Sequence, residues 1–258
     1  MISHEYQASF AWAWCRFFKK RIPGLPAVTE HNVPSNARWM VPVAGAAAGL
    51  MVVLATWIVG FFMGKLAASL FAAVAGSFFL EFIRGFSGLK AACAWIAHRQ
   101  SGASPAEALD FDEDESSKKP DFSMQIIPVT IFLVRGVLFG FLTWNDASCW
   151  ILFALTGGFL VMAELSGKLD SETWQEYIPC PPEYQMFHWY STIAVLLAAG
   201  ILSLHLGGAI MAFLVAWGMS KYAGYLVSEQ SGTVNRHTLN FFGYFTECML
   251  LVIGILMA

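Results

Sequence analysis

The sequence predicts an all-α, polytopic transmembrane helix bundle of about seven crossings with an N-terminal interfacial helix, and three observations predict it. First, 57% of the chain is hydrophobic and only 13% is charged, with a mean hydropathy of +0.57; soluble domains carry about a quarter charged residues, so the excess apolar surface must face lipid. Second, the apolar residues fall into runs long enough to span a hydrocarbon core of about 30 Å, separated by polar segments. Third, the basic residues fall on one side of those runs.

Residues 1–38 form the interfacial segment. Ala8 to Phe18 is tryptophan-rich, too short to cross and followed by Lys19, Lys20 and Arg21, a composition suited to a helix lying in the headgroup region. Positive charge follows the apolar stretch instead of preceding it, so a cleavable signal peptide is not expected. Pro23, Pro26 and Pro34 then break the backbone before Arg38.

Trp39 to Gly64 has no charge and is the first crossing; Leu66 to Ile83, apolar except for Glu81, is the second and returns to the starting side at Arg84. Gly85 to Ala97 is too short to span. Residues 98–123 form an acidic cytoplasmic loop whose run Asp110, Asp112, Glu113, Asp114, Glu115 lacks the glycine and terminal glutamate of a calcium loop. Met124 to Trp144, interrupted by Arg135, and Ala147 to Ala163 make a hairpin of crossings around Asn145-Asp146. A proline-bearing loop, 164–186, follows. Phe187 to Ser220 is too long for one helix and breaks near His205-Leu206-Gly207-Gly208, giving a fifth and a sixth crossing. After a loop at 221–238, Leu239 to Met257 is the seventh, with Glu247 inside it.

Seven crossings leave all 15 Lys and Arg on one side except Lys65, on the far side, and Arg135, in the membrane. The positive-inside rule makes that side cytoplasmic, with the N-terminus. The expected setting is the inner membrane of a bacterium, residues 1–258 forming one membrane domain. The lipid bilayer is thus the first partner, and a net charge of −3 gives no reason to expect nucleic acid. The five cysteines show no C-x-x-C spacing and read as small apolar residues.

Ionisable residues at membrane depth are costly and need partners. Arg135 and Glu247, both near helix centres, are expected to form a structural ion pair; Arg135 alternatively holds an anion. Glu81 and Arg84 stand one turn apart and satisfy each other at the interface. Glu164 reads as an end-of-helix anchor, and His188 and His205 as hydrogen-bonded structural residues. No nucleotide-binding glycine loop, nucleophile elbow or H-E-x-x-H is present.

Several segments, in order, resemble the cobalamin synthase family, the membrane-bound adenosylcobinamide-GDP ribazoletransferases. Lys20-Arg21-Ile22-Pro23 stands where the family has T-R-[IL]-P, and Met40-Val41-Pro42-Val43-Ala44-Gly45 opens the next helix like its Phe-Pro-Leu-Val-Gly. Gly76 to Leu89 occupies the place of its acidic signature, and Gly232 to Asn240 that of its G-G-x-T-G-D-x-x-G, before a helix with an internal Glu. The resemblance implies a transferase that joins α-ribazole or its phosphate to adenosylcobinamide-GDP, a corrinoid and nucleotide-linked substrate, with release of GMP. It also implies Mg²⁺ as cofactor. On that implication Glu81, Asp121 and His237 are the candidate catalytic residues, Glu81 the metal ligand, and Arg135 and Arg84 the substrate contacts.

The chain departs from the family where the chemistry lies. Only Glu81 is acidic across the signature window, the entry to the third crossing reads Lys119-Pro120-Asp121-Phe122-Ser123 without the family's glycines, and His237 replaces the C-terminal Asp. One Glu cannot replace a carboxylate cluster around Mg²⁺. Two classes therefore stand: a transferase, or a non-catalytic relative acting as a ligand-binding or structural subunit of a membrane assembly. A transporter is weaker, since no internal repeat is visible.

Overall fold

The computed structural model describes residues 2–18, 22–26, 37–104, 122–166, 186–227 and 236–258. Among these residues there is no strand, and six helices are long and apolar enough to cross a membrane. The chain is an integral membrane protein of the all-α class.

Helix α1 covers Ile2–Phe17, and a 3-10 turn at Ala37–Trp39 leads into α2, Met40–Met63. Gly64, at φ 85°, is the whole connection to α3, Lys65–Phe71, because a left-handed residue that reverses the chain so abruptly tolerates no Cβ. α3 continues through a π-helical turn at Ala72–Gly76 into α4, Ser77–Arg84, and together they make the second span. Next come α5 (Ser87–Gln100), α6 (Phe122–Trp144) and α7 (Cys149–Ser166). The last three are α8 (Phe187–Leu202), α9 (Leu206–Leu226) and α10 (Arg236–Met257).

α8 is the shorter apolar helix expected as the fifth crossing; its 16 residues rise roughly 24 Å. The break after it falls at Ser203-Leu204-His205, where Leu204 adopts φ 60°. The loop expected at 221–238 is narrower than its polar sequence suggests. α9 continues to Leu226 and α10 starts at Arg236, since helices can extend beyond the hydrocarbon at no cost to their backbone hydrogen bonds. Likewise Glu164 to Ser166 and His98 to Gln100 are helical. The acidic run and Asp121 lie outside the described residues.

α7 is the axis of the bundle. Its apolar window is 94% buried, against 28% for α6 and 33% for α2, so its neighbours cover it on every side. α2 approaches through Gly45 and Gly49. A Cβ at Gly45 would lie 2.6 Å from the Phe159 ring, and one at Gly49 2.8 Å from the Leu152 backbone. Small residues four apart allow such contact where no hydrophobic force drives helices together. Gly136 and Gly140 of α6 do the same against Ala73 and Ser69.

α1, expected to lie in the interface, also packs into the bundle. Trp12, Trp14 and Phe18 are buried in the main core, Phe18 stacks on Phe159 at 5.3 Å, and Tyr6 meets Trp39 edge-on at 5.4 Å. The aromatic side chains that suit a headgroup layer find a larger apolar partner in the ends of α2 and α7.

Candidate functional site: a buried charge network

Four charged side chains meet inside the bundle, and all four are buried: Glu81 and Arg84 from α4, Arg135 from α6 and Glu247 from α10. Arg84 donates through Nη1 to both Glu247 oxygens, at 2.7 Å to Oε1 and 2.8 Å to Oε2. Arg135 bridges the carboxylates, donating through Nη2 to Glu247 Oε2 at 2.9 Å and through Nη1 to Glu81 Oε1. Two guanidinium groups and two carboxylates cancel in charge, which is what makes their joint burial tolerable in a low-dielectric bundle.

Aromatic faces complete the cage. The Arg135 guanidinium carbon lies 5.1 Å from the centre of the Tyr244 ring and 5.3 Å from that of Phe139, and Arg84 lies 5.2 Å from that of Phe159, within cation–π range. Tyr244 precedes Glu247 by three residues and so shares its helix face. Room for the Glu247 stem comes from α7, where a Cβ on Gly158 would lie 2.5 Å from Glu247 Cγ. Glu81 Oε2, Arg84 Nη2, Arg135 Nε and the Tyr244 hydroxyl are buried with no hydrogen-bond partner among the described residues.

Backbone features position the α4 members. The π turn at Ala72–Gly76 adds a residue to the helix and so rotates everything beyond it. Ser77 donates to the Ala73 carbonyl at 2.5 Å, and the turn packs against Gly136 of α6, one residue from Arg135. Beyond Arg84, Gly85 and Phe86 are both left-handed, and the Phe86 amide closes the helix on the Glu81 carbonyl at 2.9 Å.

The structure brings Arg135 and Glu247 together, as their depth in the membrane suggested, but corrects the local pairing of Glu81 with Arg84. Each instead reaches a different helix: Arg84 gives one nitrogen to both Glu247 oxygens, and Glu81 takes the Arg135 guanidinium. His237 lies in the first turn of α10, ten residues and roughly 15 Å of helix before Glu247. Among the described residues no three His, Cys, Asp or Glu side chains converge so as to hold a metal ion. Glu81 faces a guanidinium, so the described residues do not fit Mg²⁺.

Sequence reasoning missed a second cluster, at the end of the bundle where α4 and α7 finish. Arg38 donates through Nε to the Ala163 carbonyl at 2.6 Å and through Nη2 to the Glu164 carbonyl at 3.1 Å, capping α7. Glu164 Oε2 lies 3.5 Å from Arg38 Nη2 and 2.7 Å from His188 Nε2, so the anchor expected of Glu164 joins three elements. Ser191 ties α8 to the same corner by donating to the Trp39 carbonyl at 2.8 Å. The available signal was topological: each of Arg38, Glu164 and His188 stands at a helix terminus on the same membrane face.

Fold and site together define a polytopic α-helical membrane protein braced by a neutral, buried network of charges. No family model, no curated protein and no solved structure matches the chain.

Proposed function

We propose that this protein is a non-catalytic relative of the cobalamin synthase type, a structural or ligand-holding subunit of a membrane assembly, with its basic end toward the cytoplasm of a bacterial cell. One observation supports this reading: guanidinium groups occupy three of the four oxygens of Glu81 and Glu247. A carboxylate engaged in that way does not recruit Mg²⁺, and phosphoryl transfer depends on the neutralisation that clustered ligands and metal provide. The same contacts instead fix α4, α6 and α10 against one another.

The transferase reading keeps one foothold, the unpartnered Glu81 Oε2. Purified protein given adenosylcobinamide-GDP, α-ribazole phosphate and Mg²⁺ is expected to release no GMP above background. Turnover within about tenfold of an active family member, abolished by Glu81→Gln, corresponds to about 1.4 kcal/mol or less of lost transition-state stabilisation and promotes the transferase.

A further inference from the structure

At the end of the bundle away from the charge network, α2, the start of α3 and the α6–α7 turn enclose an open groove of about 750 Å³. Its apolar wall is Leu54, Trp57, Ile58 and Phe61, all exposed and all on a helix that crosses the membrane. Leu54 lies ten residues before Gly64, roughly 15 Å along α2, which is the depth of one leaflet of a hydrocarbon core about 30 Å thick.

The mouth of the groove is charged. Lys65 Nζ lies 2.6 Å from Asp146 Oδ2, yet the two side chains remain 45% and 80% exposed, so each keeps a free side for a further partner. Among the described residues these are the only Lys, Arg, Asp or Glu at this end. Trp144 lies under the ammonium at 5.8 Å, and the Trp57 indole N–H donates to Ser148 Oγ at 3.3 Å, placing aromatic rings at the level of lipid headgroups. Thr143 also lines the groove, buried, its hydroxyl without a hydrogen-bond partner among the described residues.

We propose that this groove binds one phospholipid whose headgroup carries both a phosphate and a primary ammonium. An acyl chain lies along Leu54, Ile58 and Phe61, the Thr143 hydroxyl donates to an ester carbonyl, the phosphate meets Lys65 and the ammonium meets Asp146. A cation and an anion side by side complement a zwitterion, whereas a purely anionic headgroup can place its phosphate on Lys65 but offers no cation to Asp146. This inference goes beyond the proposed function and does not depend on it.

The test uses the full chain in nanodiscs of equal phosphatidylethanolamine and phosphatidylglycerol, with retained lipid counted by native mass spectrometry after release. One phosphatidylethanolamine per protein is expected, retained about fivefold over phosphatidylglycerol, the scale of one exposed ion pair. Asp146→Asn is expected to abolish the preference while lipid is still retained, and Ile58→Trp, which fills the groove from an exposed position, to lower retention of both lipids. Equal retention of the two lipids by the native chain, a preference for phosphatidylglycerol, or a preference unchanged in Asp146→Asn overturns the proposal.

Discussion

Arg135 is the residue on which the buried network turns, because among the described residues it alone touches both carboxylates. Removing it leaves two glutamates with one counter-ion in a bundle that cannot hydrate them. Arg135→Met is expected to cost about 3 kcal/mol, the range measured when one partner of a buried pair is deleted. Adding Glu81→Gln restores neutrality and is expected to recover much of that loss. Unfolding in mixed micelles, run as a double-mutant cycle, measures the coupling; strictly additive losses remove the Glu81–Arg135 contact from the account.

At the scale of elements, the close passage of α2 along α7 is carried by Gly45 and Gly49. A leucine at position 49 meets the Leu152 backbone, which cannot swing aside as a side chain end can. Gly49→Leu is therefore expected to separate the helices and destabilise the bundle by about 1–3 kcal/mol, the usual penalty for overpacking. Leu50→Ala, one residue on and exposed, serves as the control and is expected to leave thermal stability unchanged. Equal midpoints for Gly49→Leu and the native chain contradict the close passage.

For the whole molecule the decisive quantity is the distribution of charge. The proposed orientation puts the N-terminus and the 98–123 and 221–238 segments in the cytoplasm and Ala258 outside. A cysteine introduced at Ala258 in a chain whose own cysteines are replaced is expected to react with an impermeant maleimide in intact cells, while one at Ser101 reacts only after permeabilisation. Protection of the Ala258 position in intact cells overturns the odd number of crossings.

The sequence by itself determined the membrane class, the apolar helices and the main breaks between them, because hydropathy and run length report directly on what surrounds a helix. It also marked Glu81, Arg135 and Glu247 as residues needing partners, since an isolated charge in hydrocarbon is too costly to leave alone. The choice of partners was decided only in three dimensions. Spacing along the chain suggested that Glu81 and Arg84 pair, whereas helix rotation past the π turn and the space left by Gly158 direct Arg84 to Glu247 and Glu81 to Arg135. The burial of Trp12 and Trp14, and the joining of Arg38, Glu164 and His188, were hidden for the same reason. Hydropathy tells a helix that it must leave water, but not whether lipid or another helix will cover a given face; that depends on how distant segments pack.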